Sequence, residues 1–331
     1  MTPSRRSLAL LVGLSALVSL TACSKRPPTL RNIAVGWGRG CGISKKAEVW
    51  CFPGLDAPGK VTARAEIIAR DADEVAVATN GVFLRYGEKV RCGGACSKVT
   101  EPSEHALRIK GGDTLFVLET NGALYSFDLK TGNKEPRIES GVVDFAVGVY
   151  GLLARKQDST VVFQQTGEEK SPPTIVPSFR GATSLAVGGG HACVVLPSAE
   201  VHCFGTNDFG QLGDGTQVSR KTPVPVVSLQ GAIEVTAGDD FSCARLGNGT
   251  VSCWGNNEQH QLTSGGPGQR SATPLPVFGV FGATMIASYG RSSCAALGQE
   301  EGARCWGNGT FGIPTSEAGL RVPMPVRFPK K

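Results

Sequence analysis

The sequence predicts an all-β protein, a seven-bladed β-propeller with disulfide-stapled hairpins, and three observations carry that expectation. The 331 residues include 44 glycines and 20 prolines, which suit many short strands joined by turns better than a helical chain. Apolar residues alternate with a period of two, β-branched residues are frequent, and no stretch has a convincing amphipathic helical period. A cysteine-bearing phrase returns along the chain, and repeats of 34 to 51 residues with three or four strands each read as propeller blades.

The elements follow in chain order. Arg5 and Arg6 are a short basic stretch, and Leu8 to Leu20 is an apolar run of 13 residues. Such a run is too short to cross a bilayer as a helix but has the length of a signal-peptide core. It ends in Leu20-Thr21-Ala22-Cys23, which resembles the lipobox of bacterial lipoproteins. The resemblance implies that residues 1–22 are a lipoprotein signal peptide. It also implies that Cys23 becomes the new N-terminus, with a diacylglycerol on its thiol and an acyl chain such as palmitate on its amine. Ser24, being a residue other than Asp, implies sorting to the outer membrane, on its periplasmic face or at the cell surface. An ordinary secretory signal with a chance cysteine is the alternative. Residues 23–31, with Pro27 and Pro28, read as a lipidated tether reaching on the order of 25 Å when extended. Residues 32–331 are expected to form the propeller.

Export accounts for the cysteines. Eleven are too many to be incidental in a reducing compartment, and ten remain once Cys23 is set aside. Without Arg5 and Arg6, 32 basic residues stand against 28 acidic ones, with no basic block of five or six. Nothing therefore argues for a nucleic-acid partner.

Three segments superpose without forcing: Val187-Gly-Gly-Gly-His-Ala-Cys193 to Val201-His-Cys203-Phe204-Gly205, Ala237 to Gly255, and Ser288 to Gly307. A fourth copy, Val35 to Phe52, opens the domain, and three degenerate copies lie within Val77–Cys92, Gly111–Phe127 and Gly148–Phe163. In the register of the first cysteine the seven copies place Cys41, Val82, Phe116, Leu153, Cys193, Cys243 and Cys294, all residues that can be buried. Each unit reads as an apolar strand ending in a small residue, then two alternating strands around a polar turn such as Gly247-Asn248-Gly249.

The phrase Gly-His-x-Cys, then Val-x-Cys-aromatic-Gly-x-Asn, then Gly210-Gln211-Leu212-Gly213, resembles the regulator of chromosome condensation repeat. That family forms seven-bladed propellers. The resemblance is specific over Val187–Gly307 and weak over Val77–Phe163. The next copy of the loop reads His260-Gln261-Leu262-Thr263, so its lost glycines imply a different loop shape.

Between hairpins runs a second phrase: Thr222-Pro-Val-Pro-Val226, Thr273-Pro-Leu-Pro-Val277 and Val322-Pro-Met-Pro-Val326. Prolines at alternate positions cannot donate to a ladder, so this is an edge strand, the outermost of a blade. The last copy is expected to close the ring by completing the first blade beside Ile33–Trp37. Facing positions across each hairpin predict disulfides Cys41/Cys51, Cys193/Cys203, Cys243/Cys253 and, with a bulge or longer turn, Cys294/Cys305. Cys92/Cys96 is the expected fifth pair, with a metal site as the alternative, though no second cysteine pair matches it.

No catalytic set, nucleophile elbow, phosphate loop or metal-ligand spacing is visible, so no nucleotide, cofactor or metal is expected. His105 lies in a loop-like stretch, His202 beside a cysteine on a strand, and His260 replaces a loop glycine. Propellers bind through loops at a rim or over the channel. The residues just after the innermost strand vary between copies and are expected to form one ring on one face. They supply the interaction-face candidates Trp37, Arg39, Tyr150, His191, Asp239, Asp240, Phe241 and Arg291, a mixture suited to anchoring a protein partner. A non-enzymatic, membrane-anchored interaction module is the expectation. A propeller acting on envelope glycans, or a structural lipoprotein, are the alternatives.

Overall fold

The computed structural model describes residues 30–36, 39–53, 65–78, 81–93, 102–111, 114–168, 171–263, 269–298, 302–307 and 323–326. They form seven antiparallel sheets, six of four strands and one of three, arranged as the blades of a propeller. From the channel outward, blade 1 is Leu30–Gly36, Arg39–Ser44, Glu48–Pro53 and Glu66–Arg70. Blade 2 is Glu74–Ala78, Gly81–Tyr86 and Lys89–Cys92, followed by a single bridge from Val90 to Ser103. Blade 3 is Ala106–Lys110, Leu115–Glu119, Leu124–Phe127 and Lys134–Ile138. Blade 4 is Val142–Gly148, Gly151–Lys156, Val161–Gln165 and Thr174–Ile175. Blade 5 is Ser184–Val187, His191–Val195, Val201–Gly205 and Arg220–Pro225. Blade 6 is Ala232–Ala237, Phe241–Leu246, Val251–Gly255 and Ser271–Pro276. Blade 7 is Ala283–Tyr289, Ser292–Leu297, Ala303–Gly307 and Met324–Pro325. The first strand begins at Leu30, inside the segment expected to be tether.

Strand alternation puts every other side chain on each face of a blade, and both faces are covered by neighbours. The core is accordingly divided into seven apolar clusters, one between each successive pair of blades. Cys41–Cys51, Cys193–Cys203, Cys243–Cys253 and Cys294–Cys305 are disulfides between directly facing residues, with Cα atoms 4.1, 4.1, 4.0 and 4.0 Å apart. Each bridge lies in the cluster shared with the following blade. No register shift separates Cys294 from Cys305, so the extra residue is taken up by the turn. Cys92 is disulfide-bonded as well; its expected partner Cys96 lies outside the described residues.

Two expectations need correction. In blade 2 the position of the first cysteine is held by Phe83, which pairs with Cys92 and packs toward blade 3, while Val82 faces back toward blade 1. The second correction concerns closure. The proline-bearing edge strand pairs with the hairpin that precedes it, through Cys203 with Val224, Cys253 with Leu275 and Cys305 with Met324. The last copy therefore completes blade 7, and blade 1 has its own outer strand in Glu66–Arg70. Closure is by side-chain packing instead: Leu30, Val35, Trp50 and Phe52 of blade 1 share a cluster with Cys294, Ala296, Cys305 and Val326 of blade 7.

The turns between first and second strands stand at one end of the ring. Leu30 and the other inner-strand starts lie at the opposite end, since Leu30 pairs with Ser44 and Gly36 with Arg39.

Candidate functional site

The inner strands of all seven blades line a central channel of about 430 Å³. Near the Leu30 end its charges are held in cross-strand pairs, Glu74 with Arg85 at 3.1 Å and Glu234 with Arg245 at 2.6 Å, while Asp144 meets Arg108 at 3.3 Å. Glu74 and Glu234 each also accept a backbone N–H from the next blade, Ile109 at 3.0 Å and Ile286 at 3.3 Å. Ser184 does the same for Val235 at 3.1 Å. These groups stitch blades together, a role that sequence reasoning missed. Burial raises the Glu234 pKa despite its arginine.

At the other end the inner strands crowd. Five positions before the first-cysteine site stand Gly36, Ala78, Gly111, Gly148, Gly188, Gly238 and Tyr289. A Cβ on Gly148 or Gly188 would collide with the Val187 or Gly238 carbonyl oxygen of the next blade, which explains the glycines. The turns are bonded in series: Tyr150 N–H donates to Gly188 O at 3.0 Å, Gly189 N–H to Asp239 O at 3.0 Å, and Asp239 N–H to Gly290 O at 2.7 Å. The turns from blades 4 to 7 thus form part of the ring expected from the sequence.

The interaction-face candidates separate on inspection. Trp37 lies outside the described residues. Arg39 and Arg291 are exposed, and Asp239 and Asp240 are partly exposed. Tyr150 is half-buried, its ring 5.1 Å from that of Phe163 and 6.1 Å from that of Phe204, and burial raises its pKa.

His191 and Phe241 are corrections: both are fully buried and present no surface to a partner. Each opens the second strand of its blade, where the following blade covers it. His191 Nε2 lies 2.8 Å from Ser242 Oγ, and Ser242 Oγ donates to Gln211 O at 3.0 Å, so the imidazole N–H donates to the hydroxyl. A Ser–His pair at this distance has the spacing of a nucleophile and its base. Here it is sealed from solvent and committed to a backbone carbonyl. Burial pushes His191 down to about 4, opposed by the Phe241 backbone, so the ring is neutral at physiological pH.

The exposed acids do converge. The Asp240 pKa is raised first by burial and then by Asp239, while Arg291 lowers it and Glu258 and Asp208 raise it. Asp208 and Glu258 occupy equivalent places after a buried asparagine, Asn207 or Asn257, and the repeated Asn-acid phrase was the signal that could have found them. Those asparagines build the loops: Leu212 N–H donates to Asn207 Oδ1 and Leu262 N–H to Asn257 Oδ1, each at 2.9 Å. The second loop keeps the shape of the first in spite of its lost glycines. His260 and Thr263 adopt φ of 60° and 54° where Gly210 and Gly213 have 82° and 70°. Both loops dock the next blade, Gln211 O accepting from Trp254 Nε1 and Gln261 O from Trp306 Nε1, each at 2.9 Å.

Beside this mouth a cavity of about 180 Å³ is lined by Phe116, Arg137, Gln164, Thr166 and Tyr289. Among the described residues no group of three or more His, Cys, Asp or Glu side chains could hold a metal ion.

Residues 198–245 match the family model described as the regulator of chromosome condensation (RCC1) repeat, and a second model of that repeat matches 182–211 and 232–261. The search of curated proteins finds no match. Among solved structures, Prp20p from Saccharomyces cerevisiae is similar at 15% identity with a TM-score of 0.65, covering 87% of this chain and 84% of its own. Human WBSCR16 is similar at 16% identity and a TM-score of 0.58, covering 91% and 82%. The ectodomain of the Arabidopsis thaliana receptor kinase ACR4 gives 15% and 0.56, covering 91% and 100%. At these identities the likeness concerns the fold.

Proposed function

We propose that the chain is an exported, lipid-anchored propeller that binds a protein partner at the channel mouth facing away from its anchor. The observation that carries this reading is the sector of Asp208, Asp239, Asp240, Glu258 and Arg291 at the turn end of the ring. Leu30, the first described residue after Cys23, lies at the other end. Four disulfides suit an oxidising compartment. Protein binding is also what Prp20p is described for, toward Gsp1p and histones. An acidic sector favours a partner with lysines or arginines on the matching surface.

The test is photo-crosslinking from benzoylphenylalanine at position 291 in intact cells. One dominant protein adduct is expected, and Asp239→Asn/Asp240→Asn should remove it. Absence of an adduct, or one indifferent to those substitutions, would rule the acidic sector out as the binding face. A glycan-binding reading is favoured by one observation, the cavity lined by Tyr289, Arg137 and Gln164 among others. It expects binding on a glycan array that is lost in Tyr289→Ala.

A further inference from the structure

The turn leading from blade 6 into blade 7 reads Phe278-Gly279-Val280-Phe281-Gly282. Val280 is fully buried and pins the turn, whereas Phe278 and Phe281 are 61% and 68% exposed. They are the most exposed large apolar side chains among the described residues. The repeat supplies its own control. The corresponding turns are Pro177-Ser178-Phe179-Arg180-Gly181 and Val227-Ser228-Leu229-Gln230-Gly231. Their third residue, Phe179 or Leu229, is buried as Val280 is, but Arg180 and Gln230 stand where blade 7 has Phe281. The turn fold therefore does not call for an aromatic at 281. Single exposed apolar residues scattered over a surface are ordinary, whereas here two aromatics share one short turn.

The chain's own course indicates what they meet. Ala283 opens the inner strand of blade 7 as Leu30 opens that of blade 1; each pairs with the end of its second strand, and a register shift follows. Blades 7 and 1 are neighbours across the closing seam. Phe281, two residues before Ala283, thus stands on the same end of the ring as Leu30, in the neighbouring blade. Cys23 is seven residues before Leu30, a span of at most about 25 Å. Lys45 and Lys46, exposed in the turn after Ser44, stand on the same end. So do exposed Arg31, Arg70 and Lys89 and exposed Asp71, Asp73, Glu88 and Glu104 of blades 1 and 2, so the charges here nearly balance and the aromatic pair carries the contact.

We infer that this end of the ring rests on a lipid bilayer, with Phe278 and Phe281 inserted at its surface. The inference rests on the proposed anchor at Cys23, and goes beyond it in fixing how the propeller stands on the membrane.

Benzoylphenylalanine is placed at position 281 of the full chain and, separately, at Val149, which is 53% exposed at the opposite end. Membranes of the producing cells are irradiated and adducts identified by mass spectrometry. A lipid adduct at 281 and none at 149 is the expected result. A protein adduct at 281, a second copy of this chain included, overturns the inference, as does equal lipid labelling at both positions. The mass of the N-terminal peptide reports acylation of Cys23 separately. An acylated chain without a lipid adduct at 281 sinks the inference and leaves the anchor standing. With an unmodified Cys23 the anchor fails, and the adduct at 281 alone decides.

Discussion

Thr263 holds a left-handed backbone at φ 54° that β-branched residues avoid, and its buried hydroxyl has no hydrogen-bond partner among the described residues. Replacing Thr263 with Gly should stabilise the protein by about 1 kcal/mol, because the strain and the orphan hydroxyl both disappear. The converse change, Gly210→Ala, should destabilise, since its Cβ would lie 2.5 Å from the Ala272 backbone. Urea denaturation of both variants measures the signs. His191 gives a pH dependence. Its pKa in the folded protein, about 4, lies below the unfolded value near 6.5, so the unfolded chain binds more protons between them. Stability should be complete above pH 6.5 and fall as the pH drops toward 4, by on the order of 3 kcal/mol. A urea midpoint indifferent to pH across that window in wild type would contradict the buried neutral imidazole. The burial of His191 and Phe241 was not legible in the sequence, because residues after a turn read as surface until the next blade is seen to cover them.

The hairpin is the unit that sequence conveys best. Cysteines ten apart announced facing positions, and alternate prolines announced an edge strand, because both restrict backbone pairing locally. What local pattern does not say is which neighbour an edge strand joins. The proline phrase lies between two hairpins, and only the pairing of Val224 with Cys203 shows that it belongs to the one before. The carboxylate stitches at Glu74 and Glu234 were hidden for a related reason, since their acceptor role depends on the adjacent blade. Each hairpin disulfide closes a short loop and should contribute roughly 3 kcal/mol in the chain-entropy model. Blades 5, 6 and 7 each carry one, whereas no described disulfide lies in blades 3 or 4 and blade 2 has three strands. Hydrogen exchange should therefore be faster over residues 74–165 than over 184–297. Uniform protection would show that inter-blade packing alone sets local stability.

For the whole ring, the seam between blades 7 and 1 decides integrity. Val326 sits in that cluster, and Met324 completes the blade 7 sheet. Truncation after Arg321 should lower Tm, through loss of the outer strand and of the Val326 contact with blade 1. An unchanged Tm would mean that the strand is dispensable to both. Because each blade runs from inner to outer strand in one continuous order along the chain, no sheet among the described residues is shared between its first and last strands. A gene of this kind can gain or lose a blade by a single in-frame duplication or deletion that leaves no orphaned strand.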